Sequence, residues 1–145
     1  ENDIAMFLGG KAALGLKEAV KSKTFFTNAI KLNKGKHEYF NGLGLACLEL
    51  LEMESARQAF SNAIELEGRD PVAHVGMAES YESEKNYLMA AEYYYLSGTS
   101  ALTRKDYGSA LRSLAALERL PREKYEIKKK GDQLRDLITY NRKNN

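Results

Sequence analysis

The chain has 145 residues, a formal net charge of +2 and 43% hydrophobic residues. One cysteine excludes an intrachain disulfide, and no run reaches the ~18 apolar residues that a membrane span needs. Two prolines, abundant Ala, Leu, Glu and Lys, and no alternating apolar runs point to an all-α chain.

Taken in order, the spacing predicts helices over 3–15, 18–33, 37–50, 53–67, 71–84, 86–103, 106–119 and 122–141. Gly35, Gly68-Arg69-Asp70 and Pro121 mark turns between them. Asp70 is placed to cap the helix that Pro71 begins, since a first-turn proline gives up a donor that has no partner there. Across the first six helices the residues recur. Asn28-Ala29-Ile30-Lys31-Leu32 returns as Asn62-Ala63-Ile64-Glu65-Leu66, a period of about 34 residues. Phe26, Phe60 and Tyr94 share that period, as do Gly10, Gly44 and Ala78, and the pairs Ala56 with Ala90 and Cys47 with Tyr81. Spacings of three and four put these residues on one stripe of each of two helices. Small residues on facing stripes let two backbones approach, and the aromatic fills the space beside the contact. A single unit cannot bury its stripe alone, so neighbours must stack.

Phe40, Leu43-Gly44, Cys47, Ala56, Phe60 and Ala63 over residues 37–70 resemble the tetratricopeptide repeat. Residues 71–104 follow with His74, Met77-Ala78, Tyr81, Ala90 and Tyr94, and with Ser97 where Ala is usual. Residues 3–36 match through Met6, Gly9-Gly10, Ser22, Phe26 and Ala29. The closing proline of the pattern is absent from all three. The resemblance implies one domain over 1–145. It would be a right-handed α-solenoid of about three units (3–36, 37–70 and 71–104). An atypical C-terminal helix pair over 106–119 and 122–141 would act as a cap. Asp106-Tyr107, Ala110, Leu114, Leu117 and Pro121 also resemble the second half of a repeat, with Gly98 as the small residue of a first half. The reading adopted assigns 86–103 to unit three alone.

By the same resemblance, the first helix of each unit lines a concave groove through its second, fifth, ninth and twelfth positions. These are Ile4, Phe7, Lys11 and Leu14 in unit one, and Glu38, Asn41, Leu45 and Leu48 in unit two. In unit three they are Val72, Val75, Glu79 and Glu82. Such a surface suits an amphipathic helix or an extended peptide with apolar anchors, with Asn41 able to bond its backbone. The positions matching the carboxylate clamp of chaperone-binding members are Phe7, Lys11, Gly42, Val72 and Gly76. Only Lys11 is basic among them, which argues against recognition of an acidic C-terminal tail.

No residues stand out as catalytic, metal-binding or cofactor-binding. His37 opens a helix, His74 takes a packing position, and no His or Cys cluster has metal spacing. Gly9-Gly10 and Gly42-Leu43-Gly44 sit inside helical patterns rather than phosphate loops. Cys47 faces the partner helix as a small core residue. Of Tyr93-Tyr94-Tyr95, Tyr94 takes the core position, which leaves its neighbours for packing or for a partner.

Charge is segregated along the chain. Residues 11–36 hold seven Lys against Glu18 alone, and residues 49–84 hold nine acids against Arg57 and Arg69. Residues 119–143 hold nine Lys or Arg against four acids. The expectation is therefore a non-enzymatic adaptor for a protein or peptide partner, or a subunit of an assembly built by stacking or self-association. Nucleic-acid binding would rest on Lys128, Lys129, Lys130, Arg135, Arg142 and Lys143. The acidic middle and the lack of an aromatic-and-basic platform argue against it. A start at Glu1 suggests a processed or excised piece of a longer chain. It would be a soluble segment for which cytoplasm and periplasm are both allowed, with no insertion into a membrane.

Overall fold

The computed structural model describes residues 2–145. Among them are eight helices and no strand: α1 Asn2–Gly15, α2 Ala19–Leu32, α3 His37–Glu49, α4 Met53–Leu66, α5 Pro71–Ser83, α6 Tyr87–Thr103, α7 Tyr107–Arg119 and α8 Tyr125–Asn144. The chain divides into two compact units between Gly68 and Arg69, one of α1–α4 and the other of α5–α8.

Helix pairs close through one turn used four times. Lys17, Leu51, Lys85 and Lys105 all have left-handed backbone, with φ of 60°, 59°, 61° and 59°. In each turn the next residue reaches back five positions. Glu18 N–H donates to Ala13 O (2.8 Å), Glu52 to Cys47 (2.9 Å), Asn86 to Tyr81 (2.8 Å) and Asp106 to Ala101 (2.9 Å). The left-handed residue itself donates three positions back, so two orphan carbonyls of the ending helix are satisfied each time. The first three turns keep the repeat period, but the fourth, at Lys105, follows the third well before a full period has passed. After the later turns, side chains cap the new helix: Asn86 Oδ1 accepts from Met89 N–H (3.3 Å) and Asp106 Oδ1 from Ser109 N–H (3.0 Å). Asp70 Oδ1 caps α5, accepting from Val72 N–H (3.0 Å) and Ala73 N–H (3.2 Å).

In the first unit, Phe26 is the central filler. A Cβ on Gly10 would sit 2.8 Å from its ring and one on Gly42 only 2.3 Å away, so α1 and α3 both close on it through glycine. Phe60 takes the same place against Gly44. Ser22 Oγ donates to Gly10 O at 2.9 Å inside this contact.

The second unit departs from a plain repeat. The fourth turn gives α6 two roles: it packs against α5 as a second helix and against α7 as a first helix. Assigning 86–103 to unit three alone leaves out the second role, which a 17-residue helix is long enough to fill. Helix α8 then covers α6 and α7, with Leu134 seated on Gly98 and Leu117 beside Gly131. Helix α8 starts at Tyr125, later than the expected 122. Leu120 is extended ahead of Pro121, and residues up to Lys124 stay outside the helix.

Candidate functional site

On α1, Phe7 is half-buried, its ring 5.0 Å from that of Tyr39 and 5.9 Å from that of Phe26. Lys11 is exposed, with its ammonium 5.5 Å from the Phe7 centroid, and Leu14 is half-buried one turn on. The start of α1 is tied to α3 and to the end of α2 through Asp3. Its carboxylate accepts from Tyr39 Oη (2.9 Å) and Asn33 Nδ2 (3.1 Å). These two bonds, Tyr39 first, hold the Asp3 pKa at about 2. Tyr39 moves the other way, raised by burial first and then by that carboxylate. The network fixes the two first helices of this unit against each other.

On α3 the stripe runs Glu38, Asn41, Leu45, Leu48. Glu38 is exposed, and Leu45 and Leu48 are half-buried. Asn41 is only 7% exposed, so it lies at the bottom of the stripe rather than on its rim. Cys47 is buried beneath an ion pair between Lys23 of α2 and Glu52. Burial raises the thiol pKa, and Lys23 offsets part of this.

In the second unit, Val72 is 43% exposed, Val75 is half-buried and Glu79 is exposed. Glu79 nonetheless has a raised pKa, from desolvation first and then the Glu82 carboxylate, with Arg119 opposing. Arg119 of α7 donates to both Glu82 oxygens at 2.8 and 3.2 Å. The buried Tyr94 phenol beside them is pushed up to about 12 by burial, then by Glu82 and Glu79. This cluster joins α5, α6 and α7. The sequence offered Glu79 and Glu82 but gave no signal for Arg119, which lies far along the chain from its partner Glu82.

His74 of α5 has its ring 6.4 Å from that of Tyr93, which in turn stacks on Tyr81 at 5.8 Å. It is 5% exposed, and its Nδ1 has no hydrogen-bond partner among the described residues. Burial lowers its pKa, with Asp70 opposing. Tyr95 is half-buried beneath Lys130 of α8, whose ammonium is 4.9 Å from the ring and 2.6 Å from Glu92. Among the described residues, no three His, Cys, Asp or Glu side chains gather as a metal site. No helix there is long and apolar enough to cross a membrane.

No protein-family model and no curated protein matches the sequence. Solved structures do match in fold. The chain is similar to the Arabidopsis OM64 TPR domain at 23% identity and a TM-score of 0.63, over 92% of this chain and 94% of that one. It is also similar to Pseudomonas aeruginosa pilF at 20% identity and a TM-score of 0.57, over 88% of this chain and 65% of that one. With its periodic register, its glycine-to-aromatic contacts and these likenesses, the chain has the tetratricopeptide-repeat fold.

Proposed function

We propose that the chain is a protein-binding module, and that its working surface is the first-helix stripe of each unit. One observation carries this reading. On α3, the neighbouring positions Tyr39, Ala46 and Cys47 are sealed, whereas Leu45 and Leu48 keep accessible apolar surface. Packing of the unit thus leaves an apolar stripe open on its first helices, continued on α1 by Leu14 and flanked by Lys11 and Glu38. The partner that fits is a peptide or helix with apolar anchors. The α5 stripe of Val72 and Val75 offers a second such surface, where the exposed Glu79 favours a basic group.

The test is a pull-down from source-cell extract with three baits: wild type, Leu45→Arg and Leu111→Arg. Leu111 is an exposed leucine on α7, and not one of the stripe positions. The expected result is a protein retained by wild type and Leu111→Arg and lost with Leu45→Arg, while circular dichroism shows equal helicity. Equal recovery by all three correctly folded baits would overturn the reading. Segregated charge favours a second reading, assembly of copies through the basic 11–36 and acidic 49–84 stretches. Light scattering would then give a mass that rises with concentration and falls with added salt.

A further inference from the structure

In the second unit α8 lies along α7, and two ties hold it there. Leu117 lies beside Gly131, and at the start of α7 Tyr107 Oη donates to Asn141 O at 3.1 Å. Between the ties is an open cleft of about 310 Å³. Leu111, Leu114 and Ile138 form its apolar side, and Arg135, Arg142 and Lys143 its cationic side. No Asp or Glu lines it. The acids nearby are already engaged. Glu118 holds Arg135 at 2.9 Å, and Asp132 pairs with Arg122 (3.2 Å), Lys128 (2.7 Å) and Arg135 (3.1 Å). Arg142 and Lys143 are exposed and have no ion pair among the described residues. Leu111 is 43% exposed, so aliphatic surface stands open beside two cations without a counter-ion.

A ligand that answers both features carries an aliphatic side chain with a carboxylate next to it. A nucleic-acid backbone would meet the cations and leave the aliphatic side in water. The chain itself exposes the complement. Leu66, the last residue of α4, is 46% exposed, and Glu65 and Glu67 on either side of it are exposed. Glu65 has no ion pair among the described residues. Leu51 is more exposed, but the acids that follow it, Glu52 and Glu54, are engaged by Lys23 and Arg57. Leu66 belongs to the acidic 49–84 stretch and the cations of the cleft to the basic 119–143 stretch, so the two surfaces attract before they touch. We propose that copies of this chain associate head to tail, with Leu66 of one copy seated on Leu111, Leu114 and Ile138 of the next and Glu65 against Arg142 and Lys143. The proposal rests on assembly of copies as such, and places its basic side in the α7–α8 cleft rather than in residues 11–36. The contact joins two different surfaces, so it need not close at two copies.

The test is light scattering of the chain over a wide range of concentration. The mass of wild type is expected to rise with concentration, and the association to weaken about tenfold between roughly 25 and roughly 300 mM NaCl. Leu66→Arg and Leu111→Arg should each stay monomeric. Mixed in equal amounts, they should form a species of two copies, because one intact Leu66 and one intact cleft remain. Glu65→Lys and Arg142→Glu take their places, alone and mixed, if either variant loses helicity by circular dichroism. Leu45→Arg should assemble as wild type does, which separates this contact from the proposed groove. Lys31→Glu should also assemble. If Lys31→Glu abolishes assembly and Arg142→Glu does not, the basic side is 11–36, and the cleft contact fails while assembly stands. A monomer at every concentration overturns both. Assembly that survives Leu66→Arg or Leu111→Arg, or a mixture of the two that stays monomeric, overturns the proposal.

Discussion

At the scale of single residues, the four left-handed turn positions carry a cost that their identities do not relieve. None is glycine, and a side chain in that backbone region costs roughly 1–2 kcal/mol. Leu51 is the clearest case because it is 79% exposed and gains little from packing. Leu51→Gly should stabilise the protein by about 0.5–1 kcal/mol, the conformational relief exceeding the added entropy of the unfolded chain. A urea midpoint below that of wild type would contradict this. His74 makes the opposite kind of statement. Burial depresses its folded pKa below the ordinary value near 6.5, so the unfolded chain binds a proton that the folded chain refuses. Stability should therefore be intact above about pH 6.5 and fall as the pH drops through that value toward the folded pKa. Phe40 occupies the matching position one period earlier, so His74→Phe is the natural control and should flatten the fall in urea midpoint between about pH 7.5 and about pH 5.5. Glu79 works against this slope at lower pH. Its folded pKa is raised, so protonation relieves the folded state, which confines the His74 signal to the upper window.

At the scale of elements, two glycines of similar sequence context should respond in opposite ways. A Cβ at Gly42 would penetrate the Phe26 ring, and that ring is already held by Gly10 on the other side. Gly42→Ala should cost about 1–3 kcal/mol through overpacking. Gly15 ends α1 with nothing within 4 Å of a new Cβ, so Gly15→Ala should be neutral or stabilise by up to about 1 kcal/mol. Thermal melts of the two variants decide the matter; a shared sign would show that backbone propensity rather than packing governs both. The contrast also shows what the sequence disclosed. The periodic recurrence of small and aromatic residues revealed the helix pairs and their contact partners, because those contacts need particular volumes. The left-handed turns left no such trace, since Lys and Leu share no turn chemistry, and without them the second role of α6 stood only as the alternative that Gly98, Asp106 and Ala110 offered. Of the groove positions on α3, Leu45 and Leu48 are half-buried. The depth of Asn41 depended on how closely the first helices approach, which the Phe26 contacts set and no local pattern states.

At the scale of the whole molecule, the two compact units raise the question of how far a disturbance travels. In repeat arrays each element contacts only its neighbours, and stability is close to a sum of local and nearest-neighbour terms. Within the second unit, Leu134 of α8 is fully buried on Gly98 of α6, and Tyr107 of α7 donates to Asn141 O of α8 at 3.1 Å. Helix α8 is thereby tied to α6 at its middle and to the start of α7 near its C-terminal end. Leu134→Ala removes the filler and leaves a cavity, at a cost of about 2–5 kcal/mol. If stability is local, hydrogen exchange should accelerate by orders of magnitude in α6, α7 and α8, while core amides of α1–α3 change by less than about threefold. Equal acceleration throughout would instead mean that both units unfold as one. In that case a ligand held by the first unit would stabilise the cap helix α8 as strongly as the surface it touches. The exchange pattern of this one variant thus decides whether binding at the first-helix stripes is felt locally or by the entire chain.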